Sequence, residues 1–102
     1  MMDSKKMMDK LYALPEQFEY YMSHKEYFRA KHCYDTAVTV AVFLELDDIQ
    51  MKELFGERGE RGVIIRRGLF PEENVQRAYL ECIKRNMARE DRSYVGIMRD
   101  LL

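Results

Sequence analysis

Two histidines and two cysteines, His24, His32, Cys33 and Cys82, are the side chains in this sequence best suited to hold a transition metal or carry a proton near neutral pH. Zinc sites recruit such residues in close pairs, C-x-x-C or H-x-x-x-H, so that both ligands reach one ion. Neither spacing occurs here, and the adjacent His32 and Cys33 would leave a helix about 100° apart. No metal site is expected. His32 and Asp35 would share a helix face as an acid–base pair, although a solvated surface pair accounts for the same spacing. There is no nucleophile elbow, no phosphate-cradling G-x-x-x-x-G-K-[ST] loop and no dinucleotide fingerprint. The expectation is a protein that is not an enzyme and takes no cofactor.

Electrostatic chemistry has more material. Arg58, Arg61, Arg66 and Arg67 lie in a glycine-rich segment, and Lys84, Arg85, Arg89 and Arg92 follow further along. Gathered on one surface, these eight would form a patch able to contact phosphates of a nucleic acid. Glu57, Glu60, Glu90 and Asp91 are interleaved with them, and the net charge of −1 with a pI near 6.1 gives no global field towards polyanions. Nucleic-acid association is therefore the second reading. The first is protein binding. Seven tyrosines and five phenylalanines exceed what a small core hides, and Tyr20, Phe28 and Phe43 fall off the main apolar stripes. They are the candidate protein interface, for an unidentified partner or a second copy of the chain.

The elements that would position these residues follow from hydrophobic period. Hydrophobic residues at 47% against 34% charged fit one globular helical domain over residues 1–102. The longest apolar run, Ala37–Leu44, is too short to span a bilayer, and no signal-type segment follows the first lysines. A cytoplasmic protein with reduced thiols is expected, Cys33 and Cys82 acting as small hydrophobes.

Residues 1–13 suit a short helix with Met7, Met8, Leu11 and Tyr12 on one side, or a frayed terminus. A break or kink is predicted at Leu14–Pro15, with Pro15 opening a second helix through Phe18, Tyr21 and Met22 to about Ser23. Ser23 and Glu26 have capping-box spacing, which starts the longest helix, ending near Leu46. Its stripe is Tyr27, Ala30, Tyr34, Ala37, Ala41 and Leu44, and the run from Ala37 to Leu44 asks for burial on every side. Asp47 and Gln50 repeat the box for a helix to Phe55, closed by Gly56.

Residues 56–68 hold four of the five glycines and read as a mobile or functional loop. Within it, Val63–Ile65 suits an extended piece that fills a groove or pairs with a partner's strand. After Pro71 a helix is predicted with Val75, Ala78, Tyr79, Cys82, Ile83 and Met87 buried, running to about Arg89. Ser93 would cap a last helix with Tyr94, Ile97, Met98 and Leu101 inward, unless one helix runs from Glu72 to the end. The fold expected is all-α: four to five helices around an antiparallel helical hairpin, with a Gly/Arg-rich loop and no sheet.

The pair from Glu16 to Leu46 resembles the tetratricopeptide repeat, a helix–turn–helix unit of protein-binding arrays, through Tyr21, Tyr27, Ala30, Tyr34 and Ala37. The chain departs from that pattern at Leu14, Gln17 and Phe18, where tryptophan, leucine and glycine are usual. Lys25 stands where the turn glycine is common and Val42 where the closing proline falls, and no second copy follows. The resemblance implies close helix packing and a protein partner. In size and residue usage the chain also resembles small proteins of Firmicutes and their prophages.

Overall fold

The computed structural model of the chain describes the backbone of residues 4–101 and the side chains of residues 4–86. Its elements are α1 (Ser4–Ser23), α2 (Tyr27–Phe43), α3 (Asp48–Phe55), β1 (Glu57–Arg58), β2 (Ile64–Arg66) and α4 (Glu72–Leu101). The expected antiparallel hairpin is α1 and α2, and α4 lies against α2.

The break expected at Leu14–Pro15 does not occur: α1 continues through Pro15. Proline leaves the Leu11 carbonyl without its helical donor, a cost of about 3 kcal/mol. Leu11, Pro15 and Phe18 recur at i, i+4 and i+7, and all three are buried. Burying such side chains recovers roughly 1.5–3 kcal/mol each, so tertiary packing overrides the local rule.

The Ser23–Glu26 capping box is also absent. Ser23 stays in the last turn of α1, its hydroxyl donating to the Tyr20 carbonyl at 2.8 Å, and Glu26 precedes α2 without a side-chain cap. Instead, the Glu26 N–H reaches the Tyr21 carbonyl at 2.8 Å and the Lys25 N–H reaches that of Met22 at 3.1 Å. This is a Schellman motif with Lys25 in the left-handed region at φ 58°. The end of α2 repeats it: Leu46 donates to Ala41, Glu45 to Val42, and Glu45 has φ 51°. Hence α2 stops at Phe43 and not near Leu46.

Burial of α2 is partial. Tyr27, Ala30, Cys33, Ala37 and Ala41 are buried, but Val42 and Phe43 are 64% and 72% exposed. Within one chain Ala37–Leu44 is not covered on every side, because α1 and α4 flank α2 and leave another side open; of the two covers the sequence allows, this chain or a second copy, this chain supplies only part.

The Asp47 carboxylate accepts from the Gln50 N–H at 2.8 Å while the Gln50 side chain accepts from the Asp47 N–H, so α3 has the predicted box. Gly56 ends it at φ 81°. The segment expected as a loop, with no sheet, is instead an antiparallel β1–β2 hairpin pairing Glu57 with Arg66 and Arg58 with Ile64. Its neck is two glycines in contact. A Cβ on Gly68 would stand 2.5 Å from the Leu54 carbonyl oxygen, and one on Gly56 would stand 2.6 Å from that of Arg66. Just beyond the neck, Leu69 and Phe70 donate to the Glu53 and Leu54 carbonyls at 3.0 Å.

Those bonds deliver Phe70 to the centre of the core. It meets Phe18 edge-on at 5.4 Å and Tyr34 at 5.5 Å, and stacks on Phe55 at 5.9 Å. α4 is one helix, so no new helix starts at Ser93. Ala78 and Cys82 are buried as expected, but Ile83 is 53% exposed. Met87, Tyr94, Ile97, Met98 and Leu101 lie outside the described side chains.

Candidate interaction surfaces

Asp35 is bonded by Lys31 and Tyr79. Its carboxylate accepts from Lys31 Nζ at 2.9 Å and from the Tyr79 hydroxyl of α4, while Lys31 Nζ lies 4.9 Å from the centre of the Tyr79 ring. Burial opposes ionisation of Asp35, but the bonds from Tyr79 and Lys31 outweigh it and hold the carboxyl below its usual range. Tyr79 is pushed well up, by burial first and then by its bond to Asp35. A carboxylate held ionised is a weak proton acceptor and a tyrosine held neutral is a weak nucleophile. The pair works as a clamp between α2 and α4. Tyr27 adds to it by accepting from Arg77 at 3.2 Å, with the Arg85 guanidinium 5.0 Å over its ring.

Cys33 and Cys82 are buried free thiols, and burial raises both pKa values, which keeps them as thiols. His24 is exposed, its Nδ1 2.8 Å from the Tyr20 carbonyl oxygen and its ring 4.2 Å from that of Tyr20. Among the described residues no three of His, Cys, Asp and Glu group as metal ligands would.

The described basic residues divide between the β-hairpin and α4. Arg58 pairs with Glu72, Arg67 with Glu73 at 2.7 Å, and Lys84 with Glu81 at 3.6 Å. Arg85 leans on Tyr27. Among the described residues, Arg61 and Arg66 make no ion pair, and both are exposed on the β-hairpin. Glu72 and Lys84 are separated by about 18 Å of helix, so the hairpin arginines and the α4 cations occupy different places. Arg89 and Arg92 lie outside the described side chains.

Tyr20, Phe28 and Phe43 are each exposed, at 57%, 40% and 72%, but they do not form one patch. Phe28 and Phe43 stand about 22 Å apart along α2. Phe28 borders an open groove of about 510 Å³ between α1 and α2, with Leu14, Tyr21, His32 and Cys33. A second cleft of about 360 Å³ has Tyr34, Phe55, Phe70 and Val75 along its wall and the Arg58–Glu72 pair at its rim.

Further exposed apolar side chains lie elsewhere. Val63, Ile64 and Ile65 are consecutive and 63%, 43% and 63% exposed; Ile64 and Ile65 lie on β2, hydrogen-bonded along one edge to β1, and Val63 directly precedes it. Leu80 and Ile83 are 51% and 53% exposed on α4. Their signal in the sequence is a spacing of seven residues, since Met87 and Tyr94 follow Leu80 at that interval. Fold and surface together define a small, mainly helical protein built on a helical hairpin, with apolar side chains on its outer faces. It matches no protein-family model, no curated protein and no solved structure. No helix among the described residues is long and apolar enough to cross a membrane.

Proposed function

We propose that the chain is a non-enzymatic protein-interaction module, working in the cytoplasm of a bacterium or its phage. The observation that carries this reading is β2, where Ile64 and Ile65, with Val63 just before the strand, stay exposed on a two-stranded sheet. A strand with unpaired backbone groups and apolar side chains is a template for a partner's strand, and monomers seldom leave such a surface open. The helical hairpin beneath supports the reading by the same logic as the tetratricopeptide resemblance: Ala30 and Ala37 are fully buried and allow close approach.

A photo-crosslinking amino acid at Ile64 tests it, with the same group at Glu60 as the control. Discrete protein adducts from Ile64 and none from Glu60 are expected. Equal labelling at both positions would contradict the reading. So would salt-dependent nucleic-acid binding that Arg61→Ala with Arg66→Ala abolishes, the mark of the phosphate-contact alternative.

A further inference from the structure

Helix α4 carries two apolar faces. The first, with Val75, Ala78 and Cys82, turns into the body, and Ala78 and Cys82 are 0% and 3% exposed. The second begins at Leu80 and Ile83, both about half exposed, and lies roughly 140° further round the helix. From there the sequence repeats every seven residues: Leu80, Met87, Tyr94 and Leu101 on one line, Ile83, Glu90 and Ile97 on the other. The backbone is helical through this whole stretch, just over three heptads and about 33 Å long. A 3.5-residue period sustained over that length matches a neighbouring helix, because it keeps one seam facing the same partner.

We propose that α4 is a homodimerisation helix, two copies of this chain pairing along the Leu80–Leu101 face as a short antiparallel coiled coil. The chain's charges select both partner and direction. A parallel pair sets Glu90 against its own copy, a like-charge contact in the seam. An antiparallel pair centred between Ala88 and Arg89 sets Leu80 opposite Ile97 and Glu90 opposite Met87 of the second copy, and brings Lys84 beside its Asp91. Each body is held to the first turns of α4 through Tyr79 and Cys82, so this direction also sends the two bodies to opposite ends. The inference rests on the reading of the chain as an interaction protein but not on β2. A lost crosslink at Ile64 and a lost dimer are therefore separate results.

Sedimentation equilibrium of the full chain over a range of concentrations provides the test. The wild type is expected at twice its 12.3 kDa chain mass, dissociating on dilution. Ile83→Lys with Ile97→Lys should weaken association at least tenfold; at residue 83 the substitution is made at an exposed position. Glu90→Leu should tighten it at least tenfold by removing the charge from the seam, and this variant still decides the matter if the double variant fails to fold. A wild type that stays monomeric throughout, or a dimer that Glu90→Leu leaves unchanged, overturns the proposal.

Discussion

Tyr79 and Asp35 tie α4 to α2 through a hydrogen bond from a neutral hydroxyl to a carboxylate that Lys31 also holds. The Asp35 side chain is 44% exposed, so solvent screening limits the bond to about 1 kcal/mol. The folded-state pKa of Asp35 is depressed, so this contribution is fully present above the unfolded carboxyl value. It is lost as pH falls through the folded value. Tyr79→Phe should therefore lower the unfolding free energy by about 1 kcal/mol at neutral pH. Urea titrations at falling pH should show the gap between variant and wild type closing. The residues of this clamp were visible in the sequence, but their pairing was not. Spacing along one helix joins Asp35 to His32, whereas its partner stands 44 residues away on another element.

Elements were legible where their signals are local. The Asp47–Gln50 box and the Gly56 stop define α3 because each acts within one turn. Pro15 and Ser23 misled for the opposite reason: the buried face of α1 carries the helix through both, and the turn is then closed by Lys25. A lysine at positive φ costs roughly 1–2 kcal/mol, part of which glycine returns as chain entropy. Lys25→Gly should thus stabilise the hairpin by about 0.5–1 kcal/mol, measured by chemical denaturation. Four glycines in residues 56–68 make the β-hairpin read as a loop in sequence, while the close approach of Gly56 and Gly68 that closes its neck is a contact between distant positions. Gly68→Ala meets three backbone atoms of the Leu54–Gly56 segment, which cannot move independently. It should cost about 3 kcal/mol or more and loosen Phe70 from the aromatic core, visible as lost near-ultraviolet dichroism. Gly59→Ala meets only the Ile65 side chain and serves as the tolerant comparison.

At the scale of the whole molecule, a 102-residue chain has too little interior for all its apolar side chains, and the fold decides which stay outside. The sequence pointed correctly to exposure at Tyr20, Phe28 and Phe43 but could not show that they stand apart. It hid the more extended faces, because Ile83 fits the inward stripe of α4 as well as an outward seam. Of the described basic residues, Arg58, Arg67 and Lys84 each pair with an acid and Arg85 lies over a ring, while Arg61 and Arg66 stay exposed on the β-hairpin. The proposed partner surfaces use the exposed apolar side chains of Ile64 and Ile65 on β2 and of Leu80 and Ile83 on α4. Hydrogen exchange of the full chain across a wide dilution series tests this most directly. At high concentration the amides of α4 beyond Leu80 should exchange more slowly than at low concentration, while those of the α1–α2 hairpin keep one rate. Identical exchange along α4 at every concentration would contradict an outward face that seeks a second copy.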